Sequence, residues 1–179
     1  MEQIMKRTAG ISAAAAISFA LLYRCSTLSV FLTLAVTFGT TAYHFGIRLL
    51  IGTLFHRIMQ NRADYTKKWY QVGAREQKLY EKLRVRQWKN RMPTYDADAF
   101  DIAKRSWAEI AQAMCQSELV HETDIVFSFV PVVFSVRFGS FAVFLVTSVL
   151  GAAYDLMFVM MQRYNRPRIL KIINREKKS

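Results

Sequence analysis

Cysteine is scarce in this chain, and its scarcity excludes two classes of protein. The only two, Cys25 and Cys115, lie far apart in unlike segments, with no Cys-x-x-Cys pair and no Cys/His cluster. Neither a disulfide framework nor a zinc site follows, and the expected metal content is none. Acidic residues are also few: 13 Asp and Glu stand against 25 Lys and Arg, a formal net charge of +12. That balance would suit nucleic acid, but no recognisable nucleic-acid module carries it. Attraction to anionic lipid explains the charge better. Internal repeats, low-complexity tracts and flexible linkers are missing as well. After the leader-like start at Lys6-Arg7 no small-x-small cleavage site appears, and Arg24 directly before Cys25 spoils a lipoprotein box. A second apolar run follows at once, the pattern of a retained membrane hairpin.

What the chain has in abundance is apolar surface. Hydrophobic residues make up 53% and charged residues 21%, a mixture hard to reconcile with one water-soluble core. The charges are segregated. Of the Lys and Arg, 11 fall between Arg57 and Arg91 and 7 between Arg163 and Lys178, while Arg24, Arg48 and Arg137 interrupt or border apolar runs. Two apolar blocks remain, about Thr8 to Phe55 and about Ile125 to Met161. A spanning helix needs roughly 20 residues, and the second block as one helix would be about 55 Å long, so each block is expected to fold back on itself. Arg24-Cys25-Ser26 and Arg137-Phe138-Gly139-Ser140 are the expected turns. The third span is short unless residues from about Ser117 contribute or Pro131 marks a re-entrant segment.

The fold class expected is therefore an all-α integral membrane protein: two helical hairpins with a basic amphipathic helical region between them. As a single membrane domain, 1–179 divides into a first hairpin (8–55), cytoplasmic or interfacial helices (56–116), a second hairpin (117–161) and a basic tail (162–179). Basic flanks orient short loops toward the cytoplasm, which places both termini and the 57–91 segment there. Trp69, Val72, Leu79, Tyr80 and Leu83 recur at helical spacing among Lys and Arg, as in a helix lying on a membrane surface. Met92-Pro93-Thr94 should end it, and a second helix is expected from near Asp98 or Asp101 toward the third span.

Chemistry is sought at the block edges. On a helix Glu118 and His121 share a face one turn apart, and a carboxylate beside an imidazole favours and orients a general base. The plainer reading is an interfacial polar cluster. Where the last apolar run stops stands Gln162-Arg163-Tyr164-Asn165-Arg166-Pro167-Arg168. Its guanidiniums suit an anionic leaflet, or a phosphate or carboxylate held bidentately. Trp88-Lys89 reads as an interface belt or as a substrate contact. His44 and His56 read as interfacial polar side chains or packing. Asp155 within the fourth span needs a partner, with Arg48 and Arg137 as candidates. Cys115 and Ser117 could form an acyl-enzyme, but neither sits in a nucleophile elbow.

Trp88-Lys89, Glu118 with His121, Pro131 and above all the Gln162–Arg168 heptad resemble the glycosyl-4,4′-diaponeurosporenoate acyltransferase family of small bacterial membrane proteins. The resemblance runs from about Leu83 to Lys171. It departs where Gln116-Ser117 and Glu122 stand in place of the family's Arg-Ala and Trp around Glu118 and His121. The resemblance implies transfer of a fatty acyl group to a hydroxyl of a lipid-linked, glycosylated carotenoid-like acceptor in the bacterial cytoplasmic membrane. It implies an acyl-CoA or acyl-carrier-protein thioester as donor and no bound cofactor. His121 would be the general base, with Glu118 orienting it. Arg163, Tyr164, Asn165, Arg166 and Arg168, with Trp88 and Lys89, would bind substrate. The competing expectations are a non-catalytic membrane protein that binds anionic lipid or a protein partner, and a transferase of another group.

Overall fold

The computed structural model describes residues 2–90, 92 and 98–178. Among them are α1 (Glu2–Ser26), α2 (Ser29–Met59), α3 (Ala74–Lys82), α4 (Trp107–Phe127), α5 (Val130–Val133), α6 (Ser135–Phe138) and α7 (Phe141–Glu176). Short 3₁₀ turns at Lys68–Tyr70, Val85–Asn90 and Asp98–Phe100 fill the stretch between α2 and α4. Four helical stretches are long and apolar enough to cross a bilayer: Glu2–Ser26, Ser29–Met59, Trp107–Phe138 and Phe141–Glu176. This is the all-α integral membrane architecture that the hydropathy predicts.

By its internal contacts the chain forms two compact units, one of residues 1–53 with 123–155, the other of 54–122 with 156–179. In the first, α1 and α2 close a hairpin over small residues. Phe19 stacks on Phe31 and Phe38 with ring centroids 6.3 and 5.6 Å away, and a Cβ on Gly39 would lie 3.9 Å from that of Ala16. The turn falls two residues later than expected, at Thr27-Leu28. Ser26 stays helical because its hydroxyl bonds back to the Leu22 carbonyl at 2.8 Å, and Arg24 in the last turn complements the helix dipole. Thr27, at φ 56°, then ends α1.

The third span gains its length upstream, since α4 reaches back to Trp107, and it breaks at Ser128-Phe129 before the Pro131 turn of α5. Backbone carbonyls freed inside a bilayer must find donors. Here the Tyr43 hydroxyl donates to the Phe127 carbonyl at 2.9 Å. The next turn is where the sequence places it: Gly139 (φ 67°) and Ser140 (φ 52°) both adopt left-handed backbone, which glycine tolerates without strain.

In the second unit the amphipathic helix is shorter than its pattern. Only Ala74–Lys82 is α-helical, and Trp69 and Val72 precede it. Trp69, Leu79 and Leu83 nevertheless stay exposed amid the basic residues, as an interfacial segment requires. The expected stop at Pro93-Thr94 lies outside the described residues. The following helix begins at Trp107 rather than near Asp98, because Ser106 and Glu109 form a capping box. The Glu109 carboxylate accepts from the Ser106 N–H at 2.8 Å, and the Ser106 hydroxyl accepts from the Glu109 N–H at 3.3 Å. After Met161, α7 continues through the arginine heptad to Glu176 with Pro167 inside it, so most of the basic segment 162–179 is helical.

Candidate active site

The register set at Ser106 puts Glu118, His121 and Glu122 on one side of α4. Glu118 is the centre of the arrangement. Its carboxylate is fully enclosed, and each oxygen takes a separate guanidinium: Oε1 accepts from Arg163 Nη1 at 2.6 Å and Oε2 accepts from Arg166 Nη1. Arg163 also forms an ion pair with Glu76, its Nη2 lying 3.1 Å from Oε2, and donates to the backbone carbonyls of Trp69 at 3.0 Å and Gln71 at 3.3 Å. Arg166 is itself fully enclosed. It donates twice to the Tyr70 carbonyl, once at 3.1 Å through Nε, and its guanidinium lies 5.2 Å from the Tyr70 ring.

Two carboxylates thus balance two guanidiniums. Burial is tolerable for such charges only with this completeness of pairing. The sequence offers Arg163 and Arg166 to an anionic ligand and Glu118 to His121; in the structure the three are tied to one another. Of the heptad's arginines, Arg168 is the exposed one. It lies over the Tyr164 ring at 4.0 Å and donates to the Tyr164 hydroxyl.

The remaining predicted residues fall around this hub. The His121 imidazole is half-buried and stacked on Phe158, with centroids 4.5 Å apart and planes 9° from parallel. Tyr164 is buried in a cluster with Tyr80 and Val85, against which Trp88 packs. Asn165 donates to the Met161 carbonyl of its own helix at 3.0 Å. The Lys89 side chain lies outside the described residues. The positions that depart from the family pattern all have partners: Gln116 accepts from the Asn61 N–H at 2.7 Å, the Ser117 hydroxyl accepts from Gln162 at 3.3 Å, and Glu122 accepts from the Trp69 indole at 2.9 Å. Cys115 is enclosed beside Ala63 and Tyr70. His56 borders an open polar cleft of about 750 Å³ with Gln60, Asp64, Arg105 and Glu109. In the other unit Asp155 pairs with Arg48, the first of the two partners the sequence suggests.

Glu76, Tyr70 and Tyr80 are the members that the sequence does not announce. Glu76 accepts hydrogen bonds from Arg163 and from the Tyr80 hydroxyl. Burial alone would raise its carboxyl, but these bonds and the Arg163 charge outweigh it and hold the group below the ordinary glutamate value. Burial, then the bond to Glu76, raises the Tyr80 phenol, and burial, with neighbouring negative charge, pushes Tyr70 up to about 12. Both phenols therefore act as neutral donors or packing groups. The one available signal was an acid, Glu76, standing between Arg75 and Lys78 in a basic run.

Fold and site together define an all-helical integral membrane protein that keeps a closed carboxylate–guanidinium hub in its second unit. The family profile of glycosyl-4,4′-diaponeurosporenoate acyltransferase matches residues 64–175, a range that contains Glu76, Glu118, His121, Arg163 and Arg166. With more than half of the chain matched, the protein belongs to this family of membrane acyltransferases. Neither a curated protein nor a solved structure matches it.

Proposed function

We propose that the protein transfers a fatty acyl group from a thioester to a hydroxyl of a glycosylated, carotenoid-like lipid at the cytoplasmic face of a bacterial cell membrane. The observation that carries this reading is that the family match spans the hub and the half-buried His121 one turn beyond it. His121 takes the proton as the acceptor oxygen attacks the acyl carbonyl, and the imidazolium returns it to the departing thiolate. Glu118 serves as a positioning residue. Through Arg163 and Arg166 it fixes the face of α7 against the 69–76 segment, and with it the ring on which His121 stacks. Arg168, Trp88 and Lys89 supply cation and aromatic surface for the donor's anionic end, a coenzyme A or carrier-protein phosphate.

The orientation rests on the basic bias of the 57–91 segment and of the end of α7, both of which we assign to the cytoplasm. Exposed Trp69, Leu79 and Leu83 among lysines and arginines favour a second reading, attachment to anionic lipid without catalysis. The test uses purified full-length protein, labelled acyl-CoA or acyl-carrier protein, and a lipid extract from carotenoid-producing cells. The expected result is a new acyl ester, reduced about 10²- to 10⁴-fold in His121→Ala, with anionic-vesicle binding unchanged. A His121→Ala protein as active as its parent removes the imidazole from the reaction, and vesicle binding with no ester from any donor favours the second reading.

A further inference from the structure

The first unit carries an open groove that the acyl-transfer reading does not use. Its volume is about 430 Å³, and it runs between the α1–α2 hairpin and residues 131–144. Ala16, Ala20, Ala35 and Gly39 leave room on one side, and Phe134 and Phe138 stand on the other. Two hydroxyls border the groove, and both are already engaged. Thr40 Oγ1 lies 2.9 Å from the Val36 and Thr37 carbonyls of its own helix, to which it donates, and the Tyr43 hydroxyl donates to the Phe127 carbonyl at 2.9 Å. The groove therefore suits hydrocarbon rather than a hydrogen-bonding guest.

Its dimensions match a single leaflet. On α2 the lining extends from Leu32 to Tyr43, about 16 Å of helical rise. That is about half of the roughly 30 Å hydrocarbon core of a bilayer. Spread over this length, the volume gives a mean width of about 5 Å, half the diameter of about 10–12 Å of a helix with its side chains. A spanning helix from a second copy is too thick to enter, whereas one fatty chain is not. The volume is also about three times that of a cavity that holds benzene, room for one such chain and not for two.

Charge selects the headgroup. Tyr43 and Phe127 meet at one end of the groove. From there, α2 read backward and the 127–138 stretch read forward each lead to a hairpin turn, at Thr27-Leu28 and Gly139-Ser140. Arg24 continues the face of Ala16 and Ala20 at the same four-residue spacing, and Arg137 is the chain neighbour of Phe138. Both arginines are exposed, and neither forms an ion pair among the described residues. No Asp or Glu occurs between Glu2 and Asp64 or between Asp124 and Asp155. A zwitterionic headgroup would find no carboxylate there for its ammonium, while a phosphate finds guanidiniums. We propose that the groove takes one acyl chain of an anionic phospholipid whose phosphate pairs with Arg24 and Arg137. The hub and His121 belong to the other unit, and binding here requires no acyl transfer. Placement in the outer leaflet rests on the cytoplasmic assignment of the termini; the binding does not.

The test places the full-length protein in phosphatidylcholine nanodiscs with a trace of photoreactive phosphatidylglycerol or phosphatidylcholine, each bearing the same diazirine midway along one chain. Photoadducts are mapped by mass spectrometry. The phosphatidylglycerol probe should label residues 16–20, 35–39 and 131–138 about fivefold or more above the phosphatidylcholine probe, the discrimination that one basic residue gives toward anionic lipid. Excess unlabelled phosphatidylglycerol should suppress that labelling, a readout that needs no variant. Arg24→Gln/Arg137→Gln should abolish the preference and leave weaker, equal labelling by both probes. Ala20→Phe, at an exposed position, should fill the groove and lower labelling there by both probes, whereas Ala13→Phe, exposed but outside the groove, should not. If Ala20→Phe fails to fold, Ala20→Leu serves in its place. Equal labelling of the parent by the two probes overturns the choice of an anionic headgroup. Parental labelling in the filled variant overturns the groove as the chain's site, and protein–protein adducts in place of lipid adducts make the occupant a second copy and overturn the proposal.

Discussion

Replacing Glu118 by Gln keeps the shape of the side chain and removes its charge, so it isolates what the carboxylate does for the hub. Glu118 and Arg166 are both fully enclosed, whereas Arg163 is 16% exposed and has Glu76 as a second carboxylate. Arg163 can therefore keep a counter-ion after the substitution, while Arg166 has no second carboxylate partner among the described residues and keeps neutral partners such as the Tyr70 carbonyl and ring. Leaving an enclosed guanidinium uncompensated costs about 3–5 kcal/mol. At roughly 2–4 °C per kcal/mol for a chain of this length, the lower end corresponds to a fall in Tm of about 6–12 °C. Glu76→Gln should cost much less, about 1 kcal/mol, because its side chain is 26% exposed and solvent screens the pair. The assay is thermal unfolding of purified protein in one detergent at one scan rate, with the double variant Glu118→Gln/Arg166→Met included. That double variant should be more stable than Glu118→Gln alone, since the charge stranded by the first change is removed by the second. Equal Tm falls in Glu118→Gln and Glu76→Gln, or strictly additive effects in the double variant, would refute the hub.

Three further outcomes follow from the same geometry. Glu76 has its folded-state value depressed, so it contributes stability fully present above the unfolded glutamate value near 4.5. That contribution is lost as pH falls through the lower folded value. A Tm-against-pH series should therefore drop below about pH 4.5, and Glu76→Gln should flatten that drop; parallel curves would contradict the pairing. Gly139→Ala forces a Cβ into backbone at φ 67° and should cost about 1–2 kcal/mol, read as a lower Tm with unchanged helical circular dichroism. Ser106→Ala removes one half of the capping box and should lower stability by about 1 kcal/mol, whereas Ser106→Asp should restore most of it.

The hydropathy of the chain made the four spans legible, because block length and charge segregation act locally. The turn at Gly139-Ser140 was legible for the same reason. The turn after α1 was misplaced by two residues, since a serine hydroxyl can bond either forward into a turn or back to its own helix, and Ser26 does the latter. The arginine heptad was visible as a mark of membrane exit, but an exit from lipid is no signal that a helix ends, and α7 runs on. The partners of Glu118 lie 45 and 48 residues away, and no periodicity reports a contact of that range. Helical spacing pointed to His121 instead, the local neighbour.

The two cysteines have unequal fates. Cys25 stands exposed at the loop end of α1, while Cys115 is wholly enclosed beside Tyr70. The native molecule therefore offers a bulky thiol reagent a single address, and a fluorophore or spin label can be installed there without engineering. Unfolding exposes the second thiol, so stoichiometry of modification doubles as a direct count of molecules that have lost their fold.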